Sequence, residues 1–316
     1  LKLIKFLKIA FSDNILIQKT IGLLKSFSLP GFKSVSLFEV GKFVYFETLR
    51  DSIHIRAESI AFNVFLSFFP TIIFFFELTS LLPVQTLDST LFDFLRDILP
   101  RSAYFFITDS IKQIMDLNPM GNSVSLIFLL SIFFASNGVN SLMTAFRKRP
   151  NLIERQRNFL RQRGIALLLT LLLAVVVIIT LTIIITGQIY LNKSLLFFGI
   201  EKGLSYFIIQ FLKWVMIFFL ILNFISILYY FTPAVKDKWS YFSPGSIFAT
   251  FLCIATSVLF SFYINNFGKY SLLYGYVGTV MVLMIWIYIN ALIIIIGFEM
   301  NLGIDIGKRG KIEVRT

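Results

Sequence analysis

Residues 165–189, IALLLTLLLAVVVIITLTIIITGQI, run for 25 positions without a charged side chain. As a helix this run is about 37 Å long, enough to cross the roughly 30 Å hydrocarbon core of a bilayer. In lipid a chain must satisfy its own backbone hydrogen bonds, which leaves helices or a closed barrel. No alternating ten-residue pattern points to a barrel, so the segment is read as a helix. Five further stretches are apolar enough to join it: 57–82, 124–146, 207–231, 246–266 and 277–301. The composition agrees. Hydrophobic residues make up 57% of the 316 residues and charged residues 15%, against about 45–50% and about 25% in soluble domains. The expected fold is all-α, a polytopic membrane protein with six transmembrane helices plus interfacial amphipathic helices. One cysteine (Cys253) and one histidine (His54) exclude a disulfide framework and any metal site built on two imidazoles; no metal or cofactor is expected.

The net charge of +12 is unevenly spread along the chain. The N-terminal segment, the second and fourth loops and the C-terminal tail hold 22 Lys and Arg, and the other three loops hold 6. The positive-inside rule then puts both termini in the cytoplasm. Three regions follow: a basic, amphipathic cytoplasmic segment over 1–56, the six-helix membrane domain over 57–301 with an external loop over 84–122, and a basic cytoplasmic tail over 302–316. Residues 1–11 place Lys2, Lys5 and Lys8 on one stripe opposite Leu, Ile and Phe, the pattern of an interfacial helix rather than a cleavable signal. Residues 36–53 form a second amphipathic stretch. In the external loop, 90–98 and 104–117 read as short helices separated by Pro100. The arginine cluster from Arg155 to Arg163 lies against the membrane, which favours lipid headgroups and topology determination over nucleic acid.

Three spans carry polar residues at helical spacing. In the first, Ser59, Asn63 and Ser67 share a face, with Pro70 close to it. In the second, Asn137, Asn140, Ser141 and Thr144 form a stripe that ends at Arg147. In the sixth, Trp286, Asn290, Gly297 and Asn301 form a third stripe, with Glu299 also in the cytoplasmic half of the span. Two readings stand. Small and amide residues are the usual glue between membrane helices. Alternatively the stripes converge on a polar cavity, a substrate pathway of Asn63, Ser67, Pro70, Asn137, Asn140, Thr144, Arg147, Asn290, Gly297, Glu299 and Asn301. The second reading puts Asn63, Asn140 and Glu299 on a cytoplasmic pocket walled by spans one, two and six, with Arg147 as the counter-charge of Glu299. Charged groups within spans are costly and mark function by default. Glu77 and Lys213 both fall in the external half, either as a charge pair or with Lys213 reaching to the surface. His54 reads as an interfacial histidine and Cys253 as a small packing residue.

Four stretches, RAESIAFNVFLSFFP from Arg56, SNGVNSLMTAFRK from Ser136, YYFTPAVKDKWSYFSPGSIFA from Tyr229 and YGYVGTVMVLMIWIYINALIIIIGFEMN from Tyr274, occur in the order in which similar motifs occur in one family. The chain resembles the YihY/BrkB family of bacterial inner-membrane proteins, once labelled ribonuclease BN. Glu299 stands on the family's Gly-Ala-Glu-like position, with Phe298 in place of the Ala. The resemblance implies six spans, cytoplasmic termini and links to transport across the inner membrane, lipid-related export and serum resistance.

The stripes and intramembrane charges favour a transporter or flippase-like protein for a lipid or small amphiphilic solute, with membrane lipids as its surroundings. No G-x-x-x-x-G-K-[ST] phosphate loop is present. The alternative is a non-transporting scaffold for envelope proteins. A metallo-ribonuclease would draw on several His and Asp ligands, and this chain has one His; the protein is not expected to be an enzyme.

Overall fold

The computed structural model describes residues 40–45, 53–80, 92, 95–96, 104–105, 108–109, 124–147, 158–197, 202–233, 239–267 and 270–308. Six long helices carry the fold: α1 (Ile53–Ser80), α2 (Val124–Arg147), α3 (Phe159–Phe197), α4 (Lys202–Phe231), α5 (Pro244–Phe267) and α6 (Tyr270–Lys308). There is no strand among the described residues. Five of the helices, α2 to α6, are long and apolar enough to cross a membrane, over Leu129–Phe146, Phe159–Thr180, Phe211–Phe231, Pro244–Ile264 and Val280–Gly307. α1 is the expected sixth crossing; its 28 residues span about 42 Å. Residues 1–11 lie outside the described residues. Of the loop between α1 and α2 only isolated positions are described; Phe92, Leu95, Arg96, Tyr104, Phe105, Thr108 and Asp109 are all helical.

The outer surface is apolar at helical spacing. On α3, Leu168, Leu171, Val175, Ile179 and Ile183 are exposed, while Ala166, Leu169, Leu173 and Ala174 are buried. On α6, Val277, Met281 and Ile285 make a similar exposed stripe. In water such stripes would drive association; against lipid tails they have no such cost. α3 and α6 have 39 residues each, about 58 Å, so each extends well beyond the hydrocarbon core.

α1 and α2 form an antiparallel pair and α6 packs against both α1 and α5, while α3 and α4 continue around the bundle. Two tie points set the angle of α1 on α6. His54 Nδ1 lies 2.9 Å from the Tyr288 hydroxyl, and Arg56 Nη2 lies 3.1 Å from Glu299 Oε1. His54 and Arg56 are separated by about 3 Å of helix rise, Tyr288 and Glu299 by about 16 Å. The two ties therefore start from neighbouring positions on α1 and end on well-separated positions of α6. Residues 40–45 form a helical turn that docks on the far end of α6, with Val40 and Val44 against Met300 and Ile304.

Aromatic rings from α2, α4 and α6 gather in the core. Phe146 stacks on Phe298 with ring centroids 4.3 Å apart and nearly parallel planes. Tyr229 meets both rings edge-on, and Trp239 lies 5.2 Å from Phe298. Phe146 follows Ala145 in the chain and Phe298 precedes Glu299, so the aromatic block and the ion pair draw on neighbouring positions of α2 and α6.

Candidate functional site: a polar cavity beside a buried ion pair

Arg56 sits in the first turns of α1, although the sequence pattern assigns it to the cytoplasmic segment before the first span. Its side chain is 1% exposed, and Glu299 is fully buried. Nη2 donates to Glu299 Oε1 at 3.1 Å, and Nη1 donates to the Ala145 carbonyl at 3.1 Å. One guanidinium thereby ties α1 to α6 by charge and to α2 by a hydrogen bond. The described counter-charge of Glu299 is thus Arg56. The side chain of Arg147, the residue expected in that role, lies outside the described residues.

Next to Arg56 the α1–α2 seam opens. A cavity of about 170 Å³ is lined by Arg56, Ser59 and Asn63 of α1 and by Asn137, Asn140, Ser141, Thr144 and Ala145 of α2. The steric cause is visible one turn away. Gly138 lets Ser67 approach so closely that a Cβ there would sit 2.8 Å from the Ser67 hydroxyl. The helices touch at that point and diverge toward Arg56, leaving the polar stripe of each facing a gap.

α3 fastens the rim. Arg163 Nη1 donates to Asn137 Oδ1 at 2.6 Å and Nη2 to the Phe133 carbonyl at 2.8 Å, with the guanidinium 4.0 Å above the Phe133 ring. Gln162 Nε2 donates to Asn140 Oδ1 at 2.9 Å and to the Thr144 hydroxyl at 3.0 Å. Asn63 Nδ2 turns back to the Ser59 carbonyl at 2.7 Å. The cavity is smaller than the roughly 300–1,000 Å³ of a site for a drug-sized ligand, which suits a headgroup, an ion or a cluster of waters.

The sixth-helix stripe serves a different purpose. Ser243 caps α5, its hydroxyl accepting the Ser246 N–H at 3.2 Å, with Pro244 in the first helical position where a missing N–H does no harm. Asn301 completes the cap: Oδ1 accepts the Gly245 N–H at 2.8 Å, and Nδ2 donates to Ser243 Oγ at 2.8 Å. Gly297 lies against Gly245, Ala249 and the Tyr229 hydroxyl, and Trp286 donates to Ser257 of α5 at 3.1 Å. Trp286, Gly297 and Asn301 thus join α6 to α5. Replacing Asn301 with Ala leaves the buried Gly245 N–H without its acceptor, which is expected to cost about 1–3 kcal/mol and to lower the midpoint of detergent unfolding; an unchanged midpoint would refute the cap.

Residues 44–313 match the virulence factor BrkB family. The chain belongs to that family. It is 29% identical over 246 residues to YfkH of Bacillus subtilis (strain 168), a protein described as ribonuclease-like; the match covers 78% of this chain and 88% of YfkH. It is also 32% identical over 74 residues to a UPF0761 membrane protein of Pseudoalteromonas translucida (strain TAC 125), covering 23% of this chain and 25% of that protein. A UPF0761 membrane protein of Albidiferax ferrireducens is 34% identical over 89 residues, 28% of this chain and 21% of its own length. For the UPF0761 proteins, then, the chain spans about a quarter of each relative. No solved structure is matched. Together with the five apolar helices, these likenesses make this a membrane protein of the BrkB/UPF0761 family.

Within this BrkB family member the eleven pathway residues divide. Asn63, Asn137, Asn140 and Thr144 line the cavity. Ser67 is buried one turn beyond, bonded to the Asn63 carbonyl at 2.9 Å, and Pro70 lies further along α1. Glu299 is held behind Arg56. Arg147 is the last residue of α2, and its side chain lies outside the described residues. Asn290 bonds to the Trp286 carbonyl at 2.8 Å and, like Gly297 and Asn301, lies outside the cavity lining. The cavity walls are α1 and α2, with α3 at the rim, where the sequence pattern suggests α6. The Glu77 side chain lies outside the described residues, and with it the expected pairing to Lys213. Arg56, Gln162 and Arg163 are the residues the polar stripes do not reveal. Arg56 and Arg163 count among the basic residues flanking the spans, and nothing in their spacing announces that each folds back onto α2.

Proposed function

We propose that this BrkB family protein is a transporter or flippase-like protein of the bacterial inner membrane, passing a lipid or small amphiphilic solute by way of the α1–α2 cavity. The observation that carries this reading is a cavity lined by one arginine, three asparagines, two serines and a threonine in a bundle whose outer surface is apolar. Polar groups in a membrane core that serve packing alone close upon one another, as Asn301 does on α5; those of the cavity surround a volume instead. The charge distribution along the chain supports cytoplasmic termini and a cavity opening toward the cytoplasm.

In a Cys253→Ala background, cysteines at positions 63 and 140 are expected to react with an impermeant thiol reagent applied to inverted vesicles. A cysteine at position 290 is expected to stay protected, because Asn290 lies outside the cavity lining and is held against its own helix. Reaction only from the outside of intact cells would reverse the orientation. Protection at 63 and 140 from both sides would favour the scaffold reading, in which the seam is closed in the membrane. The ribonuclease-like description of YfkH belongs to that relative; here only His54 offers an imidazole.

A further inference from the structure

The hydrogen bonds at the rim decide which atoms of the cavity wall remain available. Arginine carries donors only, so the Arg163 bond at 2.6 Å must end on the amide oxygen of Asn137. That turns the Asn137 NH₂ group away from α3, on the residue's cavity side. Gln162 engages the amide oxygen of Asn140 in the same way at 2.9 Å, and the Asn140 NH₂ is left likewise. The Thr144 hydroxyl hydrogen is used on the Asn140 carbonyl at 2.9 Å. Two amide donors therefore belong to the α2 wall of the cavity that Arg56 of α1 also lines. The charges at the site are unequal as well. Glu299 offsets Arg56, while Arg163, bonded to neutral acceptors at the rim, adds positive charge. Glu58 is exposed on α1 and does not line the cavity.

We propose that the cavity recognises a group with several hydrogen-bond acceptors and a single negative charge, of the phosphate-ester type, through the Asn137 and Asn140 amides beside Arg56. Arg163 and Gln162 are positioning residues that hold those amides with their donors outward. This rests on the cavity being accessible, as in the reading above. A phosphate ester meets these donors with its non-bridging oxygens, and charge-assisted bonds of this kind are about twice as strong as neutral ones. The same chemistry occurs on a phospholipid headgroup and on a soluble phosphate ester.

The test uses the full chain with Cys253→Ala and Ser141→Cys, a near-isosteric reporter on the cavity wall. In detergent, an anionic methanethiosulfonate is expected to modify the cysteine at position 141 roughly tenfold faster than its cationic counterpart once both rates are normalised to free cysteine, since a positive cleft concentrates anions by at least this factor. Asn137→Asp keeps a partner for Arg163, and so the fold, but replaces an amide donor with a carboxylate; the preference should vanish or invert. Arg163→Gln should reduce it toward unity. Glycerol 3-phosphate should slow the labelling and glycerol should not. Protection in phosphatidylglycerol nanodiscs compared with nanodiscs of the phosphate-free lipid digalactosyldiacylglycerol identifies a lipid headgroup as the source; protection by glycerol 3-phosphate without a difference between the nanodiscs identifies a soluble ester. Equal or cation-favouring rates, or protection by neither phosphate, would overturn the inference while leaving an accessible cavity. Failure of both reagents to label would overturn the cavity itself.

Discussion

Glu299→Gln is expected to destabilise the protein by about 3–5 kcal/mol, the usual cost of removing one partner from a buried ion pair. The carboxylate and guanidinium are both shielded from solvent, 0% and 1% exposed. The substituted amide could still accept a hydrogen bond, but Arg56 would keep a full positive charge in a poorly polarisable setting. Arginine cannot shed its proton, whereas a carboxyl group can take one up. Arg56→Met should therefore cost less than Glu299→Gln, because the stranded acid can neutralise itself. The double change Arg56→Met/Glu299→Leu should recover most of the loss, since apolar replacement of a whole buried pair is often neutral or favourable. Unfolding of purified protein in mixed detergent, followed by tryptophan fluorescence, measures all three. Strictly additive losses would show that the two groups do not act as a pair.

The second large effect is expected at the α5–α6 contact. A Cβ on Gly245 would collide with the backbone carbonyl oxygen of Gly297 and lie 2.7 Å from the Asn301 carboxamide. One on Gly297 would sit 2.6 Å from the Tyr229 hydroxyl and 2.8 Å from both Ala249 Cβ and the Gly245 carbonyl. Backbone cannot rotate aside, so Gly245→Ala must push the helices apart, breaking the Asn301 cap as it does so. The expected loss lies at the top of the about 1–3 kcal/mol range for overpacking. Gly138→Ala meets mainly the Ser67 hydroxyl, a group that can turn, and should cost less. Gly164→Ala meets nothing within 4 Å on α3 and should gain up to about 1 kcal/mol from helix propensity. The order of melting temperatures, with the change at 164 above wild type and that at 138 above that at 245, is the measurement; a Gly245→Ala protein as stable as the parent would refute the close contact.

The helices of this protein are visible in its sequence because lipid leaves the backbone no other choice. The uncharged run at 165–189 lies within α3, and the other apolar stretches fall on α1, α2, α4, α5 and α6 with ends shifted by several residues. Those shifts have local causes. α1 begins early enough to include Arg56, a charge that hydropathy places outside a span but that Glu299 makes tolerable inside one. α3 and α6, 39 residues each, continue past the ends of their apolar stretches, where hydropathy gives no signal.

Polar stripes are likewise evident from spacing, yet spacing alone does not tell glue from cavity. Asn301 and Asn140 are the same residue type on the same kind of apolar helix. Asn301 meets the free N–H of Gly245 because a glycine pair brings α5 against α6. Asn140 meets Gln162 on one side and open volume on the other, because α1 and α2 diverge beyond the Ser67–Gly138 contact. The sequence by itself determined the membrane setting of this chain, its helical class and the imbalance of charge between its loops, all properties that sum over local residues. Only the tertiary structure decided that Arg56 is the described partner of Glu299, that Arg163 orients Asn137, and that the cavity lies between α1 and α2. Each depends on a crossing angle or on the distance between residues up to 243 positions apart, and these are set by how small and large side chains interlock across helices.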